Sequence, residues 1–168
     1  MFDRESGKMQ KWLSVLLLAG MVAVIGTALG FEHIGGYTPC KLCLGQRQPY
    51  YAAIPLVALG AVSALLNWPG FVTRGLLAVG GLLMVYTGIL GVEHAAIEWG
   101  FLPSPGDCGG GGTVTDAGNL LGDLTRVKPP SCDEAAGRFL GLSFAGWNVV
   151  AALILTAIAF KGAFGKAR

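Results

Sequence analysis

Four stretches of the chain carry no charged side chain: Trp12 to Phe31, Gln48 to Thr73, Gly75 to Val92 and Phe139 to Phe160. Each is rich in Leu, Val, Ala and Ile. A bilayer core of about 30 Å is crossed by about 20 helical residues, at about 1.5 Å per residue. Each stretch is long enough. Lipid offers no water to satisfy open backbone N–H and C=O groups, so a span must be a helix. The pattern predicts four transmembrane helices over 12–31, 49–67, 74–92 and 140–160. A soluble helix bundle would show a polar stripe along each helix. Between Leu13 and Leu29 the only hydroxyls are Ser14 and Thr27. The expected fold is an all-α membrane protein, one domain built as a four-transmembrane-helix bundle.

The apolar length of the first span exceeds that of a secretory leader, so it is read as retained despite Lys8, Lys11 and the small residues at Ala28-Leu29-Gly30. Gly26 and Gly30 have the spacing of a close helix-packing face, and Pro55 is expected to kink the second span. Loops are expected at about 32–48 and 93–138. The second is too long for a mere connection. It is rich in Gly and Pro, with one short candidate amphipathic helix over 117–124.

Composition agrees. The chain is 53% hydrophobic and 13% charged, with a mean hydropathy of +0.59. That excludes a disordered chain and leaves too little charge for a soluble surface. A net charge of +2 does not suggest a nucleic-acid binder. Seven basic residues fall on the side of the termini and the tight turn near Arg74, against five spread over the longer loops. This bias predicts cytoplasmic N- and C-termini. Trp12, Trp68 and Trp99 fall near the expected membrane interfaces.

All four Cys then lie on the non-cytoplasmic side, where disulfides persist. Four Cys allow three pairings, and spacing does not choose among them. Cys40-Lys41-Leu42-Cys43 is a C-x-x-C. A bridge across two residues closes almost no loop, so its value is chemical rather than structural. Cys43 is expected near the start of the second span, where a helix N-terminus favours thiolate. Arg47 follows one turn later on the same face. Cys108 and Cys132 lie in the long loop.

Two other readings compete. His33 and His94, at the outer ends of spans one and three, could join the Cys in a haem or metal site, although the interval from Cys108 to Cys132 is no zinc-finger spacing. Two purely structural disulfides are the third reading. A C-x-x-C abutting a membrane helix, with Arg one turn on, favours redox chemistry and no metal.

Several blocks then resemble one known family, the bacterial disulfide bond formation protein B (DsbB) family. Phe31-Glu32-His33 precedes Pro39-Cys40-Lys41-Leu42-Cys43, and Arg47 follows. Glu93-His94 precedes Leu102-Pro103-Ser104-Pro105 and Cys108. Cys132 is followed by Phe139-Leu140-Gly141-Leu142 and Trp147. The resemblance implies an inner-membrane oxidoreductase that reoxidises a DsbA-like periplasmic dithiol protein and passes the electrons to quinone (ubiquinone or menaquinone). By the same resemblance, Cys108 is attacked by the partner and Cys132 is its bridge partner, exchanging with Cys40. Cys43 faces the quinone, with Arg47 and His94 beside its ring. Two features depart from the family pattern: Gln46 stands where some members carry an acid, and Gly109 to Gly112 follow Cys108.

Overall fold

A computed structural model describes residues 7–105 and 132–165. Three helices, α1 (Lys8–His33), α2 (Lys41–Leu65) and α3 (Gly70–Glu98), precede a hairpin of β1 (Arg138–Phe139) and β2 (Leu142–Ser143). Helix α4 (Phe144–Phe164) follows. All four helices are long and apolar enough to cross a membrane. Helix α1 packs on α2 and α4, and α3 packs on the same two. The bundle is therefore a ring of neighbours with α1 and α3 on opposite sides.

The core comes from one stripe of each helix. Leu17, Met21 and Ile25 of α1 meet Tyr50 and Val57 of α2, Leu77 and Met84 of α3, and Leu155 of α4. The outer surface is no less apolar. Leu16, Leu59, Leu82, Ile89, Leu153 and Ile154 point outward, each more than half exposed. Water would penalise such a surface, whereas lipid solvates it.

Close packing rests on glycines, but not on the pair singled out from the sequence. A methyl group added at Gly26 or Gly30 meets nothing within 4 Å. One added at Gly80 of α3 would lie 2.6 Å from Val57 Cγ2 of α2. The absence of a side chain at Gly80 lets these two helices approach.

Helix ends differ from the charge-free runs for local reasons. Helix α2 begins at Lys41, not at 49, because Cys40 caps it and its first turns tolerate Lys41 and Arg47. Pro49 and Pro55 both lie within it. Helix α3 continues to Glu98. Helix α4 begins at Phe144 rather than 140, because β1 and β2 occupy the preceding residues. Leu140 and Gly141 both have positive φ, and this left-handed backbone makes the hairpin turn. Ser143 Oγ then caps α4 by accepting the Gly146 N–H at 3.2 Å, which satisfies one of the helix's open donors. The candidate helix over 117–124 lies outside the described residues.

Candidate functional site

The site is built on the start of α2. The first N–H groups of a helix have no intrahelical partner. At this helix a sulfur supplies one: Cys40 Sγ accepts the Cys43 N–H at 3.3 Å. One turn of helix then brings Cys43 Sγ to 3.1 Å from Cys40 Sγ. Both are free thiols. The separation must shrink by only about 1 Å to reach a disulfide bond length. The helix-terminal amide thus serves Cys40, whereas the sequence pattern points to Cys43. Donation from the Cys43 thiol holds the Cys40 thiol well below its ordinary value, at about 4. Burial opposes this shift, and His94 adds to it.

The two sulfurs have different surroundings. Cys40 is buried and packs with Cys132, which is fully buried and disulfide-bonded. Cys43 instead borders a cavity of about 570 Å³ between α1, α2 and α4. Cys40 is not among the residues lining it. Cys108 lies outside the described residues.

The cavity suits a mostly apolar ligand. Val24 and Ala28 of α1 and Ala151 of α4 form apolar wall. Phe31, Tyr37 and Phe144 gather at one end, with ring centroids 4.9 to 5.9 Å apart. Its few polar groups include Cys43, Gln46, Arg47, Tyr50 and Asn148. Arg47 lies one turn beyond Cys43 and reaches across to an ion pair with Glu32 at the end of α1. The volume and this sparse polar lining are those of a small-molecule site. A quinone's apolar ring and two carbonyl acceptors fit that chemistry, with the Arg47 guanidinium as a donor.

His94 lies just behind the cavity wall, against Gln46, which lines it. It is 2% exposed and is not on the cavity wall. His94 comes from α3, which packs against α2 and α4. From there His94 Nε2 lies 3.6 Å from Cys40 Sγ and 3.6 Å from Glu98 Oε1. His94 Nδ1 lies 2.7 Å from Gln46 Nε2. Glu98 Oε2 is buried with no hydrogen-bond partner among the described residues. His33 is exposed at the end of α1.

The donor atoms of Cys40, Cys43 and His94 lie within 4.8 Å of one another, a spacing that a metal ion can use. The hydrogen bonding argues otherwise. Gln46 Nε2 can only donate, so His94 Nδ1 accepts and neutral His94 carries its hydrogen on Nε2. That nitrogen offers Cys40 an N–H rather than a metal a lone pair. His33 is not part of the group.

Sequence reasoning missed Glu98, Tyr50, Thr87 and Asn148. The available signal was their polarity inside or beside apolar spans, where polar groups are costly unless they have work to do.

The chain matches the family model described as "Disulfide bond formation protein DsbB" over residues 10–161. It is 31% identical to the disulfide bond formation protein B of Chromohalobacter salexigens, covering 94% of this chain and 92% of that one. With the protein of the same name from Saccharophagus degradans it shares 30% identity, over 92% and 93% of the two chains. The Polaromonas sp. relative is 27% identical, over 96% and 94%. No solved structure matches. Four membrane-spanning helices, a C-x-x-C at the head of the second and a match along nearly the whole chain lead to one conclusion: the protein belongs to the DsbB family.

Proposed function

We propose that this protein reoxidises a DsbA-like periplasmic dithiol protein and delivers the electrons to a membrane quinone. The observation that carries the reading is the split environment of the C-x-x-C. Cys40 packs on Cys132, and Cys43 borders the cavity.

In this reading the partner's thiolate attacks Cys108 of a Cys108–Cys132 disulfide. The partner's second thiol resolves the mixed disulfide and leaves as the oxidised protein. Cys108 and Cys132 are now thiols, having gained two electrons and two protons. Cys132 thiolate next attacks Cys40 of a Cys40–Cys43 disulfide and expels Cys43 as thiolate. Cys108 attacks Cys132, restores the first disulfide and releases Cys40. The quinone, when bound, accepts two electrons and two protons. Cys43 and Cys40 supply the electrons and close to a disulfide. Arg47, on the cavity wall one turn from Cys43, supplies positive charge for the negative charge that develops there. Exchange requires only that each attacking sulfur be a reachable thiolate.

The same reading puts the protein in the bacterial inner membrane, with both termini cytoplasmic and the Cys pairs periplasmic. Lys and Arg are denser near the termini and the turn at Arg74, which supports this orientation.

The test is steady-state turnover of the full chain in detergent, with a reduced DsbA-type protein as donor and a soluble quinone as acceptor. The expected result is one quinone reduced for each partner disulfide formed, with loss of turnover in Cys40→Ser and in Cys132→Ser. Turnover that survives both substitutions would overturn the reading.

A further inference from the structure

A directed chain of hydrogen bonds links the cavity wall to Cys40. Tyr50 O–H donates to Asn148 Oδ1 at 3.0 Å. Asn148 Nδ2 donates to Gln46 Oε1 at 2.7 Å. Gln46 Nε2 donates to His94 Nδ1 at 2.7 Å. His94 Nε2 then meets Cys40 Sγ at 3.6 Å. Tyr50, Asn148 and Gln46 all line the cavity, whereas His94 and Cys40 do not.

The direction of this chain is set at more than one point. Thr87 Oγ1 gives its hydrogen to the Gln46 backbone carbonyl at 2.7 Å. With its one hydrogen committed, that hydroxyl can only accept from other groups. It accepts from Asn148 Nδ2 at 3.4 Å. Asn148 is thereby held with its nitrogen toward Gln46 and its oxygen toward Tyr50. Gln46 is oriented in turn, and its amide hydrogen fixes the His94 tautomer. Reversing any link leaves two donors or two acceptors face to face in a buried site, which is costly.

We propose that Tyr50, Asn148 and Gln46 are positioning residues that hold His94 with its Nε2 hydrogen on Cys40, joining the cavity wall to the reactive sulfur. The proposal rests on the reading of Cys40 and Cys43 as a redox pair. When Cys40 is released as a thiolate during exchange, the hydrogen that stabilises its charge is already aimed. No proton needs to be transferred. Other groups also face this sulfur. Cys43 contributes its thiol from α2, Cys132 packs alongside, and Glu98 on α3 shares the same His94 hydrogen. Glu98 favours the hydrogen on Nε2 by accepting it there, and the amide chain reinforces this by occupying Nδ1 with a donor.

The chain has two histidines, which makes the tautomer directly readable. The experiment uses the full-length reduced protein, labelled with ¹⁵N-histidine, in detergent micelles at neutral pH, with His33→Gln to assign the spectrum. The expected result is His94 protonated on Nε2, changing to a mixture of tautomers in Asn148→Leu and, to a smaller extent, in the shape-conserving Tyr50→Phe. With Cys40 as the single thiol, Asn148→Leu should also raise the midpoint of its alkylation pH profile by about 0.3 unit, since halving the population of the competent tautomer is about a factor of two. A hydrogen on Nδ1 in the unsubstituted protein would sink the proposal. So would an unchanged tautomer and midpoint in both variants. The spectrum needs no turnover, so it stands apart from any failure to reduce quinone.

Discussion

Cys40 and Cys43 hold their sulfurs 3.1 Å apart, yet only Cys43 borders the cavity, while Cys40 packs against Cys132. This division follows from the helix. Residue 40 is the cap, turned in toward α3, and residue 43 lies on the first turn toward α1 and α4. A dithiol placed this way can receive electrons at one sulfur and release them at the other.

The division sets which cross-link a crippled protein should accumulate. In Cys43→Ser, Cys40 has no disulfide of its own, so its thiolate attacks Cys132 of the Cys108–Cys132 disulfide and expels Cys108 as thiolate, and residue 43 cannot resolve the product. A Cys40–Cys132 disulfide should build up during turnover and appear in peptide mapping under non-reducing conditions. In Cys40→Ser, the corresponding Cys43–Cys132 link should be much scarcer. Equal yields of both links would contradict the assignment.

Arg47 has a separate role to be measured. It lines the cavity one turn from Cys43 and is paired with Glu32. Arg47→Ala removes a charged hydrogen-bond donor, a loss of about 1.5 to 3 kcal/mol. The quinone KM should rise by about tenfold or more, since about 1.4 kcal/mol is a factor of ten. The KM for the dithiol partner should stay nearly unchanged. A rise in the partner KM with an unchanged quinone KM would remove Arg47 from the cavity chemistry.

The acid side of the Cys40 profile gives a third test. Its thiol is held at about 4 by the Cys43 hydrogen bond, with His94 assisting. A group with a depressed pKa contributes stability that is complete above its unfolded value, here 9.0. That contribution is lost as pH falls through the folded value. The reduced protein should therefore keep Cys40 as thiolate from neutral pH down through mildly acidic pH, losing it near 4. The pH profile of iodoacetamide labelling at Cys40, read by mass spectrometry, reports this midpoint whatever the absolute rate. A midpoint in the range of an ordinary free thiol would show that the cap and its partners do not hold the anion.

Packing can be tested away from the chemistry. At Gly80 a side chain would run into Val57, whereas Gly26 faces open space. Gly80→Leu should destabilise the bundle by about 1 to 3 kcal/mol through overpacking. Gly26→Ala should be neutral or slightly stabilising, because Ala is the better helix former. Thermal unfolding in detergent compares the two. Equal transitions would show that α2 and α3 do not meet as described.

Much of this architecture is legible in the chain because lipid removes the need for polar faces. Charge-free runs mark the spans directly. They do not mark helix ends, since Lys41 and Arg47 sit comfortably on helical turns at the membrane edge, and α2 starts at Lys41 rather than at 49. The C-x-x-C and Arg47 are readable because one helix presents residues three and four apart on one face. His94 is not readable in the same way. Its position in the chain places it at the outer end of α3, but the rotation of that helix decides whether it meets the cavity or Cys40. Contacts such as Gly80 against Val57 set that rotation, and they are long-range. Asn148 and Thr87 look like stray polar residues in apolar helices until α3 and α4 pack together. Only then do Gln46 and Tyr50 find their partners.

The most direct test of the central claim is a single anaerobic turnover. The protein is reduced at Cys40 and Cys43, freed of reductant and mixed with one equivalent of soluble quinone, with no partner present. One quinone should be reduced per chain, with two thiols lost and a Cys40–Cys43 disulfide in the peptide map. In Cys43→Ser no quinone should be reduced. Quinone reduction at an undiminished rate in Cys43→Ser would contradict the claim that electrons leave the protein through the sulfur that borders the cavity.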